Sequence, residues 1–121
     1  MKLLLVDDNN RIRNVMKNIY SPHFEEVIEC SDGAEAVLAF NDSHPDWVVM
    51  DIKMNEMDGI EATEKIISAN PEAKVIIVSQ YNDETTINAV KKAGAVEFVS
   101  KENLYKVIDV INNNINQGDK K

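Results

Sequence analysis

The chain is short of several things, and each shortage removes a class of function. Cys30 is the sole cysteine in 121 residues, so no internal disulfide forms. That usage fits a reducing cytosol, which is the expected location. Basic residues are outnumbered, 13 against 21 acids, for a formal net charge of -8. Nucleic-acid phosphates and anionic membrane surfaces both demand a basic face, so direct binding to either is not expected. No apolar stretch is long enough to span a bilayer. Met1-Lys2 leads straight into Leu3-Leu4-Leu5-Val6, so no signal peptide is expected ahead of it. His23 and His44 lack cysteine or histidine partners at metal-ligand spacing and read as surface residues. The three methionines Met50, Met54 and Met57 read as core and loop filler, and Trp47 as packing. No short repeat or low-complexity tract interrupts the pattern, and the length suits one domain.

What is present is a strict alternation of strand-like and helix-like segments. Apolar runs predict strands at Lys2 to Val6, Glu26 to Glu29, Trp47 to Met50, Lys74 to Val78 and Val96 to Val99. Between them run five amphipathic stripes. These are Ile12, Val15, Met16 and Ile19; then Ala36, Val37 and Phe40; then Ile60, Thr63, Ile66 and Ile67. The last two are Ile87, Val90 and Ala93, and Leu104, Val107, Ile108, Ile111 and Ile115. Asp32-Gly33 and Asp58-Gly59 suit helix starts, because a short acid accepts unpaired amide hydrogens. Gly94 suits a helix stop, and Pro45 and Pro71 end the helices before two strands. Strand-helix alternation implies a parallel sheet with helices on both faces. Five units favour a flavodoxin-like, doubly wound (βα)5 fold with strand order 2-1-3-4-5; a barrel needs eight. The domain is expected over residues 1–116, with 117–121 a polar tail or the start of a linker.

In that order the first and third strands are neighbours, and ligands sit at the carboxyl ends of such strands. Asp7 and Asp8 close the first strand, Asp51 the third, Ser79 the fourth and Lys101 the fifth. Three carboxylates held close together resist ionising, and a hard divalent cation with oxygen ligands relieves them. Aspartate is an established nucleophile for phosphoryl transfer, a reaction that depends on in-line positioning and charge neutralisation. Lys101 offers a second positive charge, and the Ser79 hydroxyl a donor to a phosphoryl oxygen. Taken singly, each of these residues reads as an ordinary solvated strand end. Their coincidence at one edge is the signal.

Asp7-Asp8, Asp51 followed by Met57-Asp58-Gly59, then Ser79 and Lys101, resemble the response-regulator receiver domain of two-component signalling. The resemblance runs from Leu3 to about Ile115. It implies a phosphorylatable switch, not a turnover enzyme, with Asp51 accepting a phosphoryl group from a sensor histidine kinase or histidine phosphotransfer protein. It implies Mg²⁺ (or Mn²⁺) at Asp7, Asp8, Asp51 and the Lys53 carbonyl. Ser79 would be the switch hydroxyl and Phe98 the switch aromatic, relaying the change to the face of the fourth helix, fifth strand and fifth helix. A homodimer formed there on phosphorylation, a target protein or an attached output domain would read that face. Lys53 and Tyr81 occupy positions that border the hydrolytic water, and are expected to tune dephosphorylation. Two prolines usual in the family are absent: Asn55 stands four residues after the acceptor, and Glu102 follows the lysine. The first loop is therefore expected to lack a fixed φ, and no cis peptide is expected at the second. The alternative is an interaction-only pseudo-receiver of the same fold that is never phosphorylated. A phosphatase of the aspartyl-phosphate type would need an acid where Lys53 stands, and a flavin carrier a phosphate-cradling loop where Asp7-Asp8-Asn9 stands.

Overall fold

The computed structural model describes residues 1–119, with side chains described to Ile115. Five strands alternate with five helices: β1 (Lys2–Val6), α1 (Asn10–Tyr20), β2 (Glu26–Cys30), α2 (Gly33–Ser43), β3 (Trp47–Met50), α3 (Gly59–Ala69), β4 (Val75–Ser79), α4 (Glu84–Lys92), β5 (Glu97–Ser100) and α5 (Lys106–Asp119). All pairings are parallel, in the order β2-β1-β3-β4-β5. The expected doubly wound fold is the observed one. Strand bounds differ from the expected ones by a residue: β2 extends to Cys30, while β4 and β5 each shift one position toward the carboxyl end. The polar tail expected over 117–121 lies outside the residues whose side chains are described, and Lys120 and Lys121 lie outside the described residues altogether.

Short of its carboxyl edge the sheet interior is apolar, because helices cover both of its faces. Alternation along each strand sends Leu4, Val48, Met50, Val75 and Ile77 toward α2, α3 and α4, where Phe40, Ala62, Ile66 and Val90 meet them. Leu3, Leu5, Val49, Ile76 and Val99 face the other way, against Met16 and Tyr20 of α1 and Val107 and Ile111 of α5. The α1 stripe corrects one expectation. Val15 is 43% exposed, and Tyr20, one turn beyond Met16, takes the buried place. Tyr20 is admitted to the core because its hydroxyl donates to the Leu104 carbonyl at 2.8 Å.

Four helices start on a side-chain cap. Asn9 accepts from the Arg11 and Ile12 amides, Asp32 from Glu35, Asp58 from Glu61 and Asp83 from Thr86. Helix α2 closes on His44 in the left-handed region (φ 48°), immediately before Pro45, and α4 is followed by Gly94 at φ 103°. Among the described residues no peptide bond is cis, that before Glu102 included. No helix among the described residues is long and apolar enough to cross a membrane.

Candidate functional site at the carboxyl edge of the sheet

The ladder hydrogen bonds deliver the site residues to one edge. The Asp7 amide donates to Cys30 O on β2, and the Asp51 amide to Val6 O on β1. The Lys101 amide donates to Ser79 O on β4. Asp7, Asp51, Ser79 and Lys101 thus stand at the last rung of their strands or one beyond it, with Asp8 one residue further. Carboxylate oxygens of Asp7, Asp8 and Asp51 all lie within 4.8 Å of one another. Asp7 is fully buried and Asp51 nearly so, whereas Asp8 opens to solvent.

Lys101 reaches across from the end of β5. Its Nζ lies 3.1 Å from Asp51 Oδ2 and 3.3 Å from Asp7 Oδ2. Burial raises the Asp51 pKa, the neighbouring Asp7 charge raises it further, and Lys101 offsets only part of this. Burial alone would lower Lys101, but the Asp51 and Asp7 carboxylates outweigh it and the ammonium is held more firmly. Asp51 Oδ1 is fixed by the Ile52 amide at 2.8 Å. Asp7 Oδ1 accepts from the Asn9 amide at 2.8 Å, while Asp7 Oδ2, fully buried, has the Lys101 ammonium at ion-pair distance but no well-aligned hydrogen bond among the described residues. Two buried carboxylates that share one ammonium are only partly compensated. Their location beside a third carboxylate fits a hard cation, and the all-oxygen donor set suits Mg²⁺ or Mn²⁺.

Ser79 is fully buried, and its Oγ accepts from the Tyr81 amide at 3.0 Å. Tyr81 itself is 40% exposed, and the Lys53 Nζ sits 4.5 Å from its ring centroid. These two side chains, contributed by the loops after β3 and β4, therefore meet. A hydrogen bond with Gln80 and the Lys53 charge both lower the Tyr81 pKa. Phe98 lies inside the core cluster with Ile77 and Val90, so its ring is already packed inward in this conformation. Cys30 is buried at the end of β2, and burial pushes its thiol up to about 12, which makes it inert.

Three supporting residues escaped the sequence reading. An ideal Cβ on Gly59 would lie 2.0 Å from the Asp51 carbonyl oxygen, and one on Gly33 would lie 2.3 Å from the Met57 carbonyl oxygen. Both positions need glycine for close backbone approach, and their amides donate to Ile52 O (2.8 Å) and Met57 O (3.0 Å). The loop after Asp51 is thereby held from two sides although Asn55 supplies no proline restraint. Arg13 is the third, placed on α1 against the Asp7 carbonyl. The Asp-Gly pairs signalled helix starts, but their contact with the loop is a tertiary fact.

The edge defines a class: an open α/β sheet carrying an acidic cluster, a lysine and a hydroxyl at the switch point of its strand order. Residues 3–112 match the model of the response regulator receiver domain. The chain is 43% identical over 103 residues to the chemotaxis protein CheY of Listeria monocytogenes, spanning 84% of this chain and 86% of that protein. Among solved structures it resembles a chain of the CheX-CheY-BeF3-Mg²⁺ complex from Borrelia burgdorferi (TM-score 0.86, 28% identity, 92% of this chain and 86% of that one). It also resembles a CheY-like receiver domain protein from Methanospirillum hungatei (TM-score 0.88, 25% identity, 98% and 96%). The chain belongs to the response regulator receiver domain family of two-component signalling.

Proposed function

We propose that this receiver is a phosphorylatable switch in which Asp51 accepts a phosphoryl group from a phosphohistidine of a sensor kinase or histidine phosphotransfer protein. The observation that carries this reading is the meeting of three carboxylates within 4.8 Å, with Lys101 Nζ 3.1 Å from Asp51. Asp7, Asp8, Asp51 and the Lys53 carbonyl would hold Mg²⁺ or Mn²⁺, a reading that the Mg²⁺ of the Borrelia CheX-CheY-BeF3-Mg²⁺ complex supports by kinship. The bound cation would supply charge neutralisation for the incoming phosphoryl oxygens.

The chain's own residues perform the rest. Asp51, aimed by the Ile52 amide and Lys101, attacks phosphorus in line as a carboxylate. The phosphohistidine P–N bond breaks, an acyl phosphate forms, and no proton leaves Asp51. Lys101 then neutralises a phosphoryl oxygen that replaces the Asp51 charge it faces in the free protein. Ser79 Oγ already accepts from the Tyr81 amide. Its own hydrogen is therefore available to the new dianion, a charge-assisted bond that draws the loop after β4 inward. Phosphorylation then favours the arrangement in which Phe98 fills the core, and the α4-β5-α5 face responds as a two-state surface. That face would be read by a target protein, an attached output domain or a second copy of the chain. The receiver unit is assigned to residues 1–116, and a cytoplasmic location follows from its kinship with chemotaxis regulators. The transfer is to the protein itself, so no turnover of an external substrate is invoked.

Lys53 and Tyr81 would shield the acyl phosphate from water. Replacing Tyr81 with alanine is expected to shorten the phosphoryl lifetime severalfold, measured by loss of label after donor removal; an unchanged lifetime refutes shielding. The function itself is tested with acetyl phosphate. With Mg²⁺ the intact mass is expected to rise by one phosphoryl group, and chelation or Asp51→Asn is expected to prevent it. Failure of the parent to label under these conditions would point to an interaction-only pseudo-receiver.

A further inference from the structure

The first two ligands proposed for the cation, Asp7 and Asp8, are joined by a peptide whose carbonyl lies beyond the β-ladder. The β1–β2 register ends at Val6↔Cys30, and the β1–β3 register at Val6↔Met50. The Asp7 carbonyl therefore has no partner strand, and a backbone acceptor at this depth needs a donor from elsewhere. Arg13 supplies it. Its Nη1 donates to Asp7 O at 2.5 Å, its Nη2 to Asn10 Oδ1 at 2.6 Å and its Nε to Glu29 Oε1 at 3.1 Å. One planar guanidinium thus fastens the end of β1, the first turn of α1 and the outer strand β2.

The side chain is mostly enclosed, 17% exposed, and is held in turn by Glu29. Glu29 is bound from its other oxygen by Lys17 Nζ at 3.0 Å, and the Lys17 hydrogen bond is the main cause that keeps its carboxyl ionised to lower pH than usual. Glu29 also offsets the guanidinium charge, which would otherwise oppose a cation nearby.

We propose that Arg13 is a positioning residue for the cation site: by pinning the Asp7–Asp8 peptide it presets the direction in which the Asp8 carboxylate enters the cluster. Glu29 keeps Arg13 in register, so a carboxylate outside the acidic cluster helps set cation affinity. The buried Asp7 side chain is fixed by the Asn9 amide and the sheet. Asp8 is exposed, and its aim depends on the peptide before it. Outer partners of metal ligands commonly change affinity by tenfold or more although they never touch the ion.

The inference rests on the acidic cluster being a cation site, and the test separates the two. Mn²⁺ affinity is measured by electron paramagnetic resonance on the parent, Arg13→Lys, Glu29→Gln, the double variant and Met16→Ala, each with its metal-free melting curve. Lysine keeps the charge but loses the fork. Arg13→Lys is expected to weaken Mn²⁺ binding about tenfold, and Glu29→Gln by a smaller factor. The double variant should lose less than the product of the two, because both act through one contact. Met16→Ala, a core change on the same helix, should lower the melting temperature and leave affinity intact. Parental affinity in Arg13→Lys overturns the inference, as does affinity that merely follows melting temperature across the set including Met16→Ala. No Mn²⁺ binding by the parent removes the cation site itself, and the inference with it.

Discussion

The two ends of the sheet are built to opposite rules. At the amino-terminal end, the chain buries bulk and keeps its charges out of the core. Trp47 opens β3 fully buried, its Nε1 without a hydrogen-bond partner among the described residues and Lys74 Nζ 5.1 Å from its ring centroid, and the Lys2 amide donates to Asp46 Oδ2. At the carboxyl end, Asp7, Asp51 and Ser79 are buried where apolar groups would be more stable, and one ammonium, Lys101, is shared between the two carboxylates. One end contributes stability; the other gives some of it up to keep charges poised. The same strands run between them, so the apolar interior holds the charged edge in place.

If this division is right, the largest stability effect comes from the quiet end. Trp47→Ala is expected to cost about 3–5 kcal/mol in denaturant unfolding, with Mn²⁺ affinity of the folded fraction unchanged. A loss of affinity beyond the unfolded fraction would break the division. Gly59→Ala comes next, because its methyl group meets the Asp51 carbonyl. A cost of about 1–3 kcal/mol is expected, and here cation affinity should fall as well, since the acceptor's own peptide must shift. Asp51→Asn should act in the opposite sense and raise the metal-free melting temperature at neutral pH by about 4 °C.

The pH dependence of that last gain follows from the raised Asp51 pKa. A carboxyl that holds its proton more tightly when folded favours the folded state at low pH. Stability falls as pH rises from the unfolded value through the raised folded one, and the penalty is complete above it. The advantage of Asp51→Asn should therefore shrink as pH is lowered through this window, read by thermal melts in chelator. A gain that is flat with pH would assign it to packing instead. The smallest effect is expected for Val15→Ser, within about 0.5 kcal/mol, because the residue faces solvent.

The difference between the ends also explains what the sequence could reveal. Leu3 to Val6 and Trp47 to Met50 are unbroken apolar runs, and that pattern alone places them in a two-sided parallel sheet. Asp7, Asp8, Asp51, Ser79 and Lys101 were legible because each follows such a run, so that register carries them to a common edge. Val15 was misread because a stripe of four apolar residues does not say which flank meets the core; Tyr20, amphipathic, gave no sign of the Leu104 acceptor that lets it be buried. Gly33 acts through the Met57 carbonyl on a distant loop, and Arg13 and Gly59 through carbonyls that a turn of the chain folds back onto them, contacts that hydrophobic periodicity does not encode. The inward Phe98 ring likewise depends on how α4 packs against β5, through Val90.

The central claim is that Asp51, and not a neighbouring acid, becomes the acyl phosphate. Borohydride reduces an aspartyl phosphate to homoserine. After treatment with acetyl phosphate and Mg²⁺, the reduced protein can be cleaved and its peptides sequenced by mass spectrometry. Homoserine at position 51, absent when Mg²⁺ is withheld, is the expected result. Conversion at position 7 or 8 instead, or none at position 51 in protein that carries the label, would contradict the account.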